Sequence, residues 1–230
     1  MNFETKKELL EYLLSFITDS RYELFKKVVS QRTRYITVVL EDIYQPHNAS
    51  AVLRTCDLTG VQDVHIIENQ NTYEVNPEVA MGSSKWLNLV KYNGFENNTE
   101  VAFNQLRQNG YRIIATTPHK NDKCLEDISL DKKMAFVFGT EMHGLSENAI
   151  RLADEYVRIP MVGFTESYNI SVSAALVLYT LTQKLRNSNV DWQLNEIERV
   201  EILLEWTKRS INRPELLEKQ FLKKIKDVNF

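Results

Sequence analysis

The sequence predicts an α/β domain built on a largely parallel sheet, and three observations predict it. Short β-rich apolar runs (YITVVL at 35–40, VHII at 64–67, YRIIAT at 111–116, MAFVF at 134–138) alternate with segments of helical periodicity. The runs are apolar almost throughout rather than alternating, as strands covered on both faces are. Polar clusters follow several of them directly, at the strand ends where parallel sheets bind ligands.

In chain order, residues 5–30 carry apolar side chains at helical spacing: Leu9, Leu10, Leu13, Leu14 and Ile17, then Leu24, Phe25, Val28 and Val29. This reads as one or two amphipathic helices broken near Asp19-Ser20. The strand 35–40 leads into a helix with Pro46 near its first turn and Gly60 just past its end. The strand 64–67 follows, and residues 85–90 form a candidate further strand. A helix over 99–109 takes Thr99 as N-cap and stops at Gly110. Strands 111–116 and 134–138, a helix from Ser146, a strand at 156–159 and a long helix over 170–186 complete the domain. Two more helices are expected at 194–208 and 214–226, the second opened by Pro214. These boundaries divide the chain into a helical extension (1–34), an α/β domain (35–187) and a helical basic extension (188–230).

A chain of 230 residues buries one sizeable core with small appendages. Cys56 and Cys124 lie far apart with no metal-ligand spacing, which argues against a disulfide framework or a zinc site and for a reducing compartment. Each is expected to be a small buried apolar residue. The N-terminus lacks the signal-peptide pattern and no apolar run reaches membrane-spanning length, so the expectation is a cytoplasmic protein with no membrane partner. Neither a GxGxxG nor a GxxxxGK[ST] occurs, which disfavours a nucleotide-dependent oxidoreductase or a P-loop enzyme.

The net charge is −3, yet its distribution is uneven. Residues 36–183 carry 11 basic and 18 acidic side chains, whereas residues 205–226 carry seven basic and three acidic ones. Positive charge therefore sits at the two ends, where it suits phosphate or serves simply as a soluble face.

The richest segment is IPMVGFTESYNISVSAA at 159–175. A strand ends at Ile159-Pro160, and a polar loop holding Thr165, Glu166, Ser167 and Asn169 follows. A helix then opens on Ser171, Ser173, Ala174 and Ala175. Small residues at a helix start admit a close backbone or ligand, and polar loops on a rigid scaffold commonly bind. Thr116-Thr117-Pro118 and Gly139-Thr140-Glu141 follow two other strands, so three loops converge on one edge of the sheet.

With LEDIYQPHNASAVLRTCDLTG at 40–60 and FGTEMHGLSENA at 138–149, these segments resemble the three signature motifs of the SPOUT superfamily of RNA methyltransferases. The nearest resemblance is to the TrmH family of tRNA (guanosine-2'-O)-methyltransferases. It spans roughly residues 33–187 and rests on the spacing of Asn48 and Arg54, of Gly139 and Glu141, and of Ser167 and Asn169. It implies a C-terminal trefoil knot, a topology that general rules would exclude. It also implies a pocket for S-adenosyl-L-methionine lined near Thr116, Gly139, Ile159 and Tyr168. The implied reaction is 2'-O-methylation of a ribose in tRNA, at the guanosine at position 18 of the D-loop. The implied assembly is a homodimer with Arg54 presented near the partner's pocket.

For the chemistry, Arg54 is the first candidate, stabilising a forming alkoxide and clamping a phosphate. A guanidinium keeps its proton to a pH above about 12 and is a poor general base. Asn48 orients Arg54 or the ribose, or caps its helix. Glu141 pairs with Arg54 or faces a helix dipole. Ser167 and Asn169 bond the RNA, the Asn48/Arg54 cluster or their own loop. His47, His65, His119 and His143 receive no acid–base role, and no metal is expected. On the helix 170–186, the row Leu176, Val177, Tyr179 and Leu181 is either a dimer interface or intrachain core. Ribosomal RNA as substrate, and a non-catalytic RNA-binding module, stand as the alternatives. Phe164 and Tyr168 depart from the aliphatic or polar residues expected there, and the chain's acidity weakens the expected phosphate grip.

Overall fold

A computed structural model describes residues 1–74, 77–80, 82–117 and 123–228. The helices are α1 (Phe3–Leu14), α2 (Asp19–Val29), α3 (Pro46–Thr59), α4 (Pro77–Ala80), α5 (Asn98–Gln108), α6 (Glu147–Leu152), α7 (Ile170–Arg186), α8 (Glu196–Lys208) and α9 (Pro214–Val228). The strands are β1 (Ile36–Glu41), β2 (Asp63–Ile67), β3 (Asn88–Tyr92), β4 (Tyr111–Thr116), β5 (Lys123–Cys124), β6 (Lys133–Phe138) and β7 (Glu155–Arg158). Two units result, one from residues 1–32 with 193–230 and the other from residues 33–192.

In the first unit, α1, α2, α8 and α9 pack around Leu9, Leu13, Phe25 and Trp206. Arg32 is buried with its guanidinium 5.3 Å from the Trp206 ring, and Phe25 meets the same indole edge-on. The N-terminal helices break at residues 15–18 rather than at Asp19-Ser20. Thr18 accepts from the Arg21 N–H and so caps α2, which makes Asp19 its first residue.

In the second unit the strands pair in the order β3-β2-β1-β6-β4-β7-β5, every described pairing parallel. β1 is buried along its whole length, because helices cover both faces. One face packs against α3 and α7 through Val52, Leu53, Val177, Leu178 and Leu181; the other packs against α5 and α6 through Phe103, Leu106 and Ala149. Gly60 ends α3 with φ +85°, the left-handed conformation that glycine adopts without a Cβ penalty.

Several expectations shift by a turn or less. The strand expected at 85–90 is β3 at 88–92, because residues 83–85 form a 3₁₀ turn. Helix α5 is capped by Asn97, not Thr99, whose hydroxyl is drawn instead to the buried Glu41 carboxylate at 2.6 Å. Glu41 also accepts from the Ser146 N–H and hydroxyl at 2.9 and 2.8 Å, so one carboxylate at the end of β1 fixes the starts of α5 and α6. Cys56 is buried as expected, but Cys124 is only half-buried on the short edge strand β5. Among the described residues no helix is long and apolar enough to cross a membrane, and no His, Cys, Asp and Glu group has metal-binding geometry.

His65 on β2 is buried with Nδ1 3.0 Å from the Tyr92 hydroxyl. Burial lowers its pKa from 6.5 to about 4 and raises that of Tyr92 to about 12. The folded state therefore holds His65 neutral where the unfolded chain takes up a proton, so its stabilising contribution is present above pH 6.5 and lost as pH falls toward 4. Replacing His65 by Gln removes that titration. The stability lost between pH 7 and pH 5 in urea melts is expected to shrink by about 2 kcal/mol relative to wild type.

Candidate active site

Three loops at the carboxyl edge of the sheet are joined by one asparagine. The chain leaves β1 through residues 42–45 and enters α3, where Pro46 takes the first position, pre-set for helix and needing no N–H partner. Asn48 falls in that first turn and is buried. It is not the helix cap, which is Gln45. The Asn48 amide nitrogen donates to the Glu141 carboxylate at 2.7 Å and to Gln45 Oε1 at 3.1 Å, while its oxygen accepts from the Asn169 amide at 3.1 Å. Asn169 in turn caps α7, accepting from the Ser171 N–H and hydroxyl at 2.8 and 2.6 Å. A single side chain thus ties the loop after β6 and the loop after β7 to α3.

The loop after β6 is folded back on itself. Thr140 N–H donates to the Gly144 carbonyl at 2.8 Å, and Gly144 N–H returns a bond to Thr140 at 3.0 Å. Gly144 sits at φ +68°. A Cβ on Gly139 would lie 2.1 Å from the Gly144 carbonyl oxygen, so only glycine fits this close approach. Thr116 donates its hydroxyl to the Val137 carbonyl at 2.7 Å, tying the end of β4 to β6.

These loops enclose a cavity of about 250 Å³. Thr116, Gly139, Ile159 and Tyr168, the residues read as cofactor-binding, all line it, as do Glu141 and Ser167. Its walls also include Thr117, Thr140, His143, Leu145 and Ser173, which the sequence reading left without a role. Thr140 and His143 were open to detection from their places in the second motif, and Ser173 from the small-residue helix start. Pro118 and His119 lie outside the described residues. No lysine or arginine is among the described residues lining the cavity.

Arg54 stands apart from this cluster. Six residues after Asn48, it lies roughly 9 Å further along α3 and about 120° around it. Its side chain is exposed and makes no hydrogen bond or ion pair among the described residues. Within one chain the Glu141 carboxylate is bonded by Asn48 rather than by Arg54. Ser167 is exposed on the cavity wall.

A doubly covered parallel sheet, with strand-end loops enclosing a cavity beside a carboxylate–amide cluster, is the architecture of a small-molecule-binding α/β enzyme. Residues 35–179 match the SpoU rRNA Methylase family. The chain is 44% identical over 206 residues to the tRNA (guanosine(18)-2'-O)-methyltransferase of Borreliella burgdorferi, covering 90% of this chain and 93% of that one. Its fold superposes on the Aquifex aeolicus TrmH/SpoU tRNA modifying enzyme with a TM-score of 0.74 at 25% identity, over 85% and 98% of the two chains. It also resembles the SpoU methyltransferase AviRb of Streptomyces viridochromogenes, solved with AdoMet, with a TM-score of 0.57 at 20% identity over 71% and 62%. The chain belongs to the SpoU methylase family.

The Gly139–Gly144 approach yields a direct prediction. Gly139→Ala forces the backbone apart and is expected to abolish binding of S-adenosyl-L-methionine in calorimetry. Gly163→Ala, where a Cβ meets nothing closer than 4.0 Å, retains wild-type affinity.

Proposed function

We propose that this protein transfers a methyl group from S-adenosyl-L-methionine to a ribose 2'-hydroxyl of tRNA, at the guanosine at position 18 of the D-loop. The observation that carries the reading is the meeting of Asn48, Glu141 and Asn169 from the three motifs beside a cavity with no lysine or arginine among its described lining residues. The likeness to the Borreliella enzyme over nine-tenths of the chain supports the choice of tRNA over ribosomal RNA.

The cavity suits the cofactor. Apolar side chains such as Phe138, Leu145 and Ile170 offer a surface for an adenine ring, and the hydroxyls of Thr140 and Ser173 line the same cavity for the cofactor's polar groups. The absence of lysine and arginine from the described lining leaves a sulfonium unopposed. The cofactor supplies a methyl carbon made electrophilic by its sulfonium, without a metal. The protein's task is to hold the 2'-oxygen in line with that carbon and to manage its proton. Asn48, itself bonded by Asn169, holds the Glu141 carboxylate at the cavity edge, Ser167 offers a hydroxyl to the RNA, and Arg54 clamps phosphate and stabilises charge growing on the 2'-oxygen.

Arg54 lies away from its own subunit's cluster, which fits a homodimer in which it serves the partner's cavity. On α7 the row read from sequence splits: Val177 and Leu181 enter the core, whereas Leu176 and Tyr179 face solvent with Val172. That exposed stripe, one helical face, is the proposed dimer contact. The reading also gives residues 35–187 a trefoil knot, with the chain around the third motif threaded through an earlier loop. It is supported by β6 lying between β1 and β4, and by α7 packing on the α3 face. The extensions 1–34 and 188–230 grip the RNA through exposed Lys27, Arg213, Lys219, Lys223 and other basic residues. A cytoplasmic location completes the proposal.

Labelled S-adenosyl-L-methionine is expected to mark unmodified tRNA transcripts at one D-loop 2'-O-methylguanosine, and Arg54→Ala to lose at least 100-fold in turnover. Label in a ribosomal RNA fragment alone replaces the substrate. Equal amounts of inactive Arg54→Ala and Gly139→Ala protein, mixed and allowed to exchange, are expected to regain about a quarter of wild-type activity, since half the dimers then hold one intact composite site. No recovery contradicts a site shared between subunits.

A further inference from the structure

The connection from β1 to α3 carries a ring that the fold does not use. Asp42 adopts φ +53°, a left-handed conformation unusual for a residue with a Cβ. It is held there by its own carboxylate, whose Oδ1 accepts from the N–H groups of Asn69 and Gln70 at 2.7 Å and of Asn71 at 3.2 Å. The Asn71 amide returns a bond to the Asp42 carbonyl at 2.8 Å. Ile43 is buried immediately after, so the backbone is pinned on both sides of its turn. Tyr44 follows and is 72% exposed. It occupies the position before a helix cap, where an apolar side chain usually packs on the fourth helical residue. That residue here is the buried Ala49, and Tyr44 does not cover itself against it. The phenol makes no hydrogen bond among the described residues. Gln45, its neighbour, bonds Asn48, so Tyr44 precedes the hub of the site by four residues.

We propose that Tyr44 is a substrate-binding residue whose ring stacks on the nucleobase of the nucleotide being methylated. A ribose held with its 2'-oxygen toward the cavity must send its base to one side, out of the RNA stack, and an unstacked base seeks an aromatic face. A solvent-facing ring on a pinned backbone, four residues before Asn48, supplies that face. Asp42 acts through Tyr44 as a positioning residue. This inference rests on the RNA-methylation reading above.

The test is steady-state methyl transfer with tRNA for Tyr44→Ala, Tyr44→Leu and Tyr44→Phe, repeated on a transcript whose target nucleotide is abasic. Stacking on an aromatic side chain is worth roughly tenfold or more in affinity. Tyr44→Ala and Tyr44→Leu are expected to raise KM for tRNA about tenfold with the cofactor Kd unchanged, while Tyr44→Phe stays within about twofold. On the abasic transcript wild type and Tyr44→Ala should converge, because the contact is already gone. A KM within twofold of wild type for Ala and Leu overturns the inference, as does an equal loss on the intact and abasic transcripts, or a Phe variant as impaired as Ala. Loss that tracks dissociation of the protein in sedimentation would reassign the ring to a second copy. A wild-type protein that transfers methyl to tRNA while Tyr44→Ala matches it overturns the stacking alone; a wild-type protein that transfers none overturns the function and the inference together.

Discussion

The Asn48 amide is the interaction on which the site depends. Its nitrogen reaches a carboxylate on the loop after β6, its oxygen receives an amide from the loop after β7, and it is itself buried at the start of α3. A side-chain amide suits this position because it donates and accepts at once, and both partners need what it offers. Alanine or leucine would leave Glu141 and Asn169 unjoined, and aspartate would set two carboxylates against each other. The bonds are made near the surface end of the sheet but from a buried hub, where water competes poorly for them.

Around that hub the fold supplies rigidity by different means in each loop. Glu41 locks the starts of α5 and α6 from the end of the central strand. Gly139 and Gly144 bring two stretches of backbone closer than any side chain permits. Asp42 holds the loop after β2 by its carboxylate. Each device fixes a strand-end loop, and the cavity wall combines small hydroxyls such as Thr116 and Ser173 with larger side chains such as Glu141, His143 and Tyr168.

Much of the fold was legible in sequence because its elements obey local rules. The continuous apolar runs of β1, β4 and β6 reflect burial on both faces, and Pro46 and Gly60 bracket α3 as their backbone preferences dictate. The misplacements have tertiary causes. Thr99 has the chemistry of a helix cap, but a buried carboxylate 58 residues away claims its hydroxyl. Asn48 likewise reads as a cap and is instead a long-range donor. In the site, the bond between Asn48 and Glu141 was not legible, because spacing along a helix fixes the angle between residues but not which neighbour arrives opposite them. The apolar row of α7 could not be divided between core and surface until its packing against α3 was known.

Asn48 and Glu141 act as one joint in assembling the site, and a double-mutant cycle on methyl transfer to tRNA measures the coupling between them. If Asn48→Ala and Glu141→Ala each remove the same joint, the double variant should lose no more kcat/KM than the worse single variant. Losses that multiply in the double variant would show two independent residues and contradict the account.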